Sequence, residues 1–211
     1  MSTGTLYFVT DIEADGPSPL LNSMLSFGTV VVSERGEMLG EFEAVLQPRA
    51  DRTRNPDTMR WWADQPEAWA AATTGAEPAE AVMPRFADWV DSFDGRRIFV
   101  ARPLLFDGVW IDHYLQSFGQ TRITDGPFRG RQIFQGTGLD ISSYMTGLFG
   151  RTALFPTDTR LPADWLGGHP HTHRAIDDAR GFAQLLARLL QIAADMPRHP
   201  MDVFGSPASS D

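Results

Sequence analysis

Thr5 to Val9 is an apolar, aromatic and β-branched run that leads into Thr10-Asp11-Ile12-Glu13-Ala14-Asp15 before Gly16-Pro17 breaks the pattern. A run of this kind, bounded by a turn signal, marks a short buried strand. Side chains on a strand alternate faces, so Asp11 and Glu13 project the same way. Two carboxylates side by side at a buried strand end repel each other and lose hydration, and a cation or a shared proton is needed to relieve them. The fold must therefore bring partners to this strand end, and a divalent metal is the natural one. A D-x-E triplet alone is common, and most are solvated strand ends. Asp15, beside Gly16-Pro17, reads as a turn residue.

The chain has room for such a site. With 211 residues, 42% hydrophobic and 21% charged, it suits one substantial core. Residues 1–200 are expected to form a single domain and 201–211 a flexible tail. Without cysteine there are no disulfides or thiolate metal sites. Met1 to Gly4 is not a basic signal-peptide start, and no apolar run reaches membrane-spanning length, so a cytoplasmic protein without membrane association is expected. The formal net charge of −9 argues against tight nonspecific binding to long nucleic acid, which depends on neutralising phosphates. It leaves room for an enzyme that grips a strand end through metal ions. Every basic residue except histidine is arginine. Arginine clamps phosphate bidentately, although genome composition accounts for wholesale arginine usage as simply.

Along the chain, Gly28 to Ser33 reads as a second strand, Glu34-Arg35-Gly36-Glu37 as a hairpin turn, and Met38 to Leu46 as a half-exposed third strand. Together they suggest an antiparallel meander. Asp57 to Pro66 looks like a short helix, followed by Glu67 to Ala72. The adjacent Trp61 and Trp62 point different ways on a helix, so at most one faces the core fully. Both are candidates to stack on bases, with simple packing as the plainer reading. Val82, Phe86, Trp89, Val90 and Phe93 give Ala79–Phe93 a helical period. Arg97 to Ala101 reads as a buried strand parallel to the first, since a helix intervenes. Asp107 comes near the start of a helical pattern over Val109–Phe118, a usual place for a capping Asp. Leu139 to Phe149 is expected to be helical, Arg151 to Pro170 a Pro- and Gly-rich connection, and Arg174 to Ala194 a strong amphipathic helix.

On that last helix Asp178 shares a face with Phe182, Leu185 and Leu189, whereas Asp177 aligns with Gly181, Gln184 and Arg188. A carboxylate aimed at the core side needs a partner, which favours Asp178 as a ligand. His173 precedes the helix in His169-Pro170-His171-Thr172-His173, and a neutral histidine near metal-bound carboxylates can take a proton from water. The alternate histidines invite a zinc reading, but zinc needs its own closed ligand set, and the short spacing and Pro170 weigh against one.

Asp11-Ile12-Glu13, Phe106-Asp107 ahead of a helix, and His173-Arg174-Ala175-Ile176-Asp177-Asp178 resemble, in order, the three motifs of the DEDDh 3′-5′ exonucleases of the ribonuclease-H-like superfamily. The resemblance spans residues 5–195. It implies an α/β fold, a ribonuclease-H-like mixed sheet with a three-strand antiparallel meander plus parallel strands, flanked by helices. It further implies Asp11, Glu13, Asp107 and Asp178 as metal-binding carboxylates and His173 as general base. Two Mg²⁺ or Mn²⁺ ions about 4 Å apart would then activate the attacking water and stabilise the leaving 3′ oxygen. Asp57 to Gln65 is similar to a segment of ribonuclease-T-like exoribonucleases that trim RNA from its 3′ end, which points to RNA as substrate. The acidic balance and a buried site favour single-stranded 3′ ends or overhangs over long duplex, with nucleoside 5′-monophosphates as the expected products. Trp61, Trp62 and Phe106 are candidate substrate contacts. Many members carry Asn where Pro103 stands, with Arg102 as a candidate replacement. Homodimers are frequent among relatives, so a dimer is compatible with the resemblance. A DNA 3′-5′ exonuclease, for proofreading or repair, would use the same site, and an inactive ribonuclease-H-like nucleic-acid-binding module is the reading outside enzymes, although no carboxylate of the set is missing. An aspartate-nucleophile phosphatase is disfavoured because it needs D-x-D and a supporting lysine.

Overall fold

The run that starts at Thr5 becomes the strand β1 (Thr5–Ala14), long enough to carry Asp11 and Glu13 on its own length. It lies near the centre of the computed structural model, which describes residues 4–124, 130–153, 155 and 161–196. β2 (Met24–Ser33) runs antiparallel to β1, and β3 (Met38–Val45) antiparallel to β2. Gly36 supplies the turn between them at φ +81°, a conformation that strains an L side chain. β2 begins at Met24 rather than Gly28. It is buried along its whole length, and a strand covered on both faces lacks the alternation that marks a strand start.

The chain then crosses over through α1 (Pro56–Ala63), α2 (Pro66–Thr73) and α3 (Ala79–Asp91) and returns as β4 (Arg96–Ala101), parallel to β1 as expected. α4 (Leu104–Tyr114) starts directly after Pro103 rather than at Val109 and finishes in a wider turn, Leu115–Gly119. β5 (Thr121–Arg122) and β6 (Arg131–Gln132) pair only with each other. β7 (Leu139–Asp140) takes the first two residues of the predicted Leu139–Phe149 helix and pairs parallel with β4. The helix proper, α5, is Ile141–Leu148, because the Asp140 carboxylate accepts the Ser143 N–H at 2.7 Å and so caps it from outside. A single 3₁₀ turn, Ala163–Leu166, precedes α6 (Ala175–Asp195). Part of the 151–170 connection and the whole 201–211 tail lie outside the described residues. Among the described residues the main sheet has the order β3-β2-β1-β4-β7, and no helix is long and apolar enough to cross a membrane.

Alternation along β1 divides the core in two. Leu6, Phe8 and Ile12 pack with Phe27 and Val31, with Val82 and Phe86 of α3, and with Trp110 and Ile111 of α4. Val9 faces the other way, with Val30, Val32 and Val100, against Ile176, Leu185, Leu186 and Leu189 of α6. Asp11 and Glu13 continue the Val9 series and so point to the α6 side. Full burial of each α6 leucine contributes about 1.5–3 kcal/mol, whereas the surface pairs Arg174–Glu43 and Arg180–Glu41 add about 0–1 kcal/mol each. Apolar packing therefore seats α6. Its close approach depends on Gly28, opposite Asp11 in register, where a Cβ would stand 2.4 Å from the Ile176 Cα.

Candidate active site

The seating of α6 brings Asp178, in its first turn, to the strand end. Carboxylate oxygens of Asp11, Glu13 and Asp178 lie within 4.8 Å of one another. Asp107 approaches from α4. Pairing of β1 with β4 ends at Val9–Val100, and farther along β1 the Ile12 N–H donates to Asp107 Oδ1 at 3.1 Å. Asp107 is thus inside the first helical turn and bonded across to the strand, not capping its own helix.

The electrostatic cost is visible in the carboxyls. Desolvation, followed by the charges of Asp107, Glu13 and Asp178, holds Asp11 well above the ordinary carboxylate range. Glu13 is raised by burial first and then by Asp178 and Asp107. Burial pushes Asp107 up to about 7, against the opposing hydrogen bond from Ile12. Asp178 Oδ1 accepts the Thr172 N–H at 3.1 Å and lies 2.9 Å from His171 Nδ1, while its buried Oδ2 has no hydrogen-bond partner. Asp177 turns outward to Arg180 Nη1 at 2.9 Å, as the helical phase predicts. Asp15 is a buried bend residue whose carboxylate accepts the Ser23 N–H at 2.6 Å, in keeping with its reading as part of a turn.

His173 sits at the rim, within 4.8 Å of Asp178 by their ligand atoms and at φ +56°, left-handed backbone that a non-glycine residue rarely adopts. Burial and the neighbouring His171 lower its pKa, which keeps its imidazole neutral and able to accept a proton. The Trp61 ring meets it edge to face at 4.8 Å. Trp61 is 40% exposed, whereas Trp62 is only 2% exposed and its indole N–H donates to the Ala14 carbonyl at 3.0 Å. The two tryptophans divide as the helical phase requires, and Trp62, named with Trp61 as a substrate contact, is packed against the end of β1. Phe106 is half-exposed in the first turn of α4, one residue before Asp107. Arg102 is buried, its Nε donating to Ser142 Oγ at 3.1 Å and its guanidinium lying over Phe182.

His171 is the residue whose place the sequence did not disclose. It lies 4.3 Å from His173, ring to ring, and touches Asp178, so its own pKa is raised. The alternation in His169-Pro170-His171-Thr172-His173 was the available signal.

Residues 7–190 match the family model described as the 3′-5′ exoribonuclease Rv2179c-like domain. The chain belongs to that family. Among curated proteins none matches its sequence. The Rv2179c-like chain shares its fold with a 3′-exonuclease solved in recognition of a histone mRNA stem-loop, at 12% identity and a TM-score of 0.61, over 90% of this chain and 84% of that one. The nuclease domain of 3′hExo, a DEDDh family member bound to rAMP, aligns over 92% of this chain and 96% of its own, at 13% identity and a TM-score of 0.62. Exonuclease I of E. coli, in a zinc-bound complex with single-stranded DNA, aligns at 14% identity and a TM-score of 0.62, over 92% of this chain but 41% of that one. The expected ribonuclease-H-like architecture and a hydrolytic 3′-5′ exonuclease class thus hold for this Rv2179c-like chain.

The donor set suits a hard divalent cation. Asp11, Glu13 and Asp178 are all oxygen donors, converge within 4.8 Å and include a buried carboxylate oxygen with no hydrogen-bond partner, while Asp107 is held to β1 beside them by the Ile12 N–H. A cation there would also offset the burial and mutual repulsion that raise Asp11 and Glu13.

Proposed function

We propose that the chain, acting as one exonuclease domain over residues 1–200, removes nucleotides from the 3′ end of single-stranded RNA or of 3′ overhangs and releases nucleoside 5′-monophosphates. In this reading Asp11, Glu13, Asp107 and Asp178 hold two Mg²⁺ or Mn²⁺ ions, and His173 is the general base. The observation that carries it is the convergence of Asp11, Glu13 and Asp178, from the first strand and the last helix, beside the His173 imidazole, whose pKa burial lowers.

Hydrolysis at the terminal phosphodiester breaks the bond from phosphorus to the 3′ oxygen, leaving a 3′-hydroxyl on the strand and a 5′-phosphate on the released nucleotide. Bound divalent ions supply charge stabilisation to the attacking and leaving oxygens. His173 accepts the proton of the attacking water, and Trp61, packed edge-on to its ring, keeps the imidazole from rotating away. The exposed face of Trp61 gives the terminal base a surface to stack on, and that of Phe106 gives a second. The Ile12 N–H fixes Asp107, so that carboxylate needs no reorientation. Choice of RNA rests on the family description and on the Asp57–Gln65 segment. The fold itself is found both with histone mRNA and with single-stranded DNA.

Matched RNA and DNA oligomers labelled at the 3′ end, incubated with Mg²⁺, Mn²⁺ or chelator, test class, sugar and metal together. Metal-dependent mononucleotide release, faster from RNA, is expected. Faster loss of DNA would sink the RNA preference, and cleavage that survives chelation would sink the metal mechanism.

A further inference from the structure

The histidines at the rim stand in a second cluster that shares only Asp178 with the oxygen site. Ligand atoms of His171, His173 and Asp178 lie within 4.8 Å of one another. His171 Nδ1 is 2.9 Å from Asp178 Oδ1, and the two imidazole rings are 4.3 Å apart. Asp178 is 4% exposed, and its second oxygen has no hydrogen-bond partner. His173 has left-handed backbone, and the His171-Thr172-His173 segment brings both rings to one carboxylate.

These donors differ in kind from the all-oxygen set. Two imidazoles and a carboxylate suit Zn²⁺ and its borderline neighbours, whereas carboxylates alone suit Mg²⁺ and Mn²⁺. Three protein ligands with an open fourth position is a common zinc arrangement, with bonds of about 2.0–2.1 Å and hence ligand separations of roughly 3.3 Å. The His171–Asp178 separation of 2.9 Å is slightly inside that span, and all three ligand atoms lie within 4.8 Å of one another. His171 is more than half exposed and lies on the loop before α6, so its ring can complete the closure without disturbing the core. Where His171 now touches Asp178, a metal ion would lie between them.

We propose that His171, His173 and Asp178 form an inhibitory transition-metal site selective for Zn²⁺ over Mg²⁺. Zn²⁺ bound there occupies the His173 lone pair and draws on Asp178, so it withdraws both from phosphodiester cleavage. The site rests on the geometry of these three side chains; the inhibition rests on the exonuclease function proposed above.

Competition with a chromophoric zinc chelator, in excess Mg²⁺, tests binding without reference to turnover. The wild-type protein is expected to take one Zn²⁺. His171→Gln, at a half-exposed loop position that leaves the fold untouched, is expected to weaken it by about 10–100-fold or more. Asp177→Asn, one residue outside the cluster, should bind Zn²⁺ as the wild type does. Equal Zn²⁺ affinity in wild type and His171→Gln, or an equal loss in Asp177→Asn, overturns the site. Titrating Zn²⁺ into the Mg²⁺-supported cleavage reaction tests the inhibition, each variant being normalised to its own zinc-free rate. The half-inhibitory concentration should rise at least tenfold in His171→Gln. Tight Zn²⁺ binding with undiminished cleavage overturns the inhibitory role, while absence of Mg²⁺-dependent cleavage faults the exonuclease reading and leaves the chelator result to decide the site.

Discussion

Asp177 and Asp178 are neighbours in sequence and opposites in circumstance. One pairs with Arg180 at the surface; the other is buried, held by Thr172 and His171 through one oxygen, with the second oxygen unbonded. Asp178→Asn is therefore expected to remove metal-dependent cleavage by at least about 100-fold, since a lost metal ligand forfeits several kcal/mol of charge stabilisation. Asp177→Asn should stay within about threefold of wild type, because a surface pair is worth about 0–1 kcal/mol. Cleavage rates and circular dichroism measured side by side decide this, and equal rates in wild type and Asp178→Asn would remove Asp178 from the site. The contrast was legible in the sequence because helical phase alone separates the two residues. The position of His171 was not: it depends on one left-handed residue and on a partner that only the folded chain supplies.

Among the elements, the contact of β2 with the start of α6 governs the site, although Gly28 itself contributes no ligand. Gly28 lies opposite Asp11, and a Cβ there would meet Ile176 Cα at 2.4 Å, its nitrogen at 2.5 Å and the Ala175 carbonyl carbon at 2.8 Å. Backbone cannot yield as a flexible side-chain tip can, so α6 must lift. Gly28→Ala should cost about 1–3 kcal/mol and lower cleavage steeply, because Asp178 rides on the displaced turn. A chemical melt and a cleavage assay check both arms, and wild-type stability with wild-type activity would refute the coupling. Gly28 looks in the sequence like an ordinary strand start. Its importance arises from a helix that packs on it from the far end of the chain. The longer elements were legible for plainer reasons: β1, β2 and β4 are apolar, β-branched runs, β3 alternates, and α3 and α6 carry enough repeats of period 3.6 to declare themselves. β7 has two residues and no period, and the start of α4 is hidden because Leu104, Leu105 and Phe106 do not alternate by burial in a helical way.

For the molecule as a whole, the clustered carboxyls make stability depend on pH and metal together. Asp11, Glu13 and Asp107 are all raised, so the folded state holds these protons more tightly than the unfolded chain does. Metal-free protein is then most stable where they are protonated in both states, and loses stability as pH rises from the ordinary carboxylate range through about 7. His171, also raised, acts in the same sense, its contribution fading as pH passes its folded pKa. Between pH 5 and 8 the lowered carboxyls Glu41, Asp51 and Glu77 are largely ionised in both states, whereas the lowered His113 and His173 act in the opposite sense and offset part of the loss. Chelated protein should lose on the order of 5–10 °C in Tm across that window, and millimolar Mg²⁺ or Mn²⁺ should restore most of it at the alkaline end. A flat or rising Tm in chelator contradicts the electrostatic account. Asp11 and Glu13 enter with the first strand, but Asp178 arrives only with α6, which must dock across β1 and β2 to join them. During synthesis that carboxylate cluster is therefore completed last, so under the proposed function a chain still lacking α6 has no assembled site.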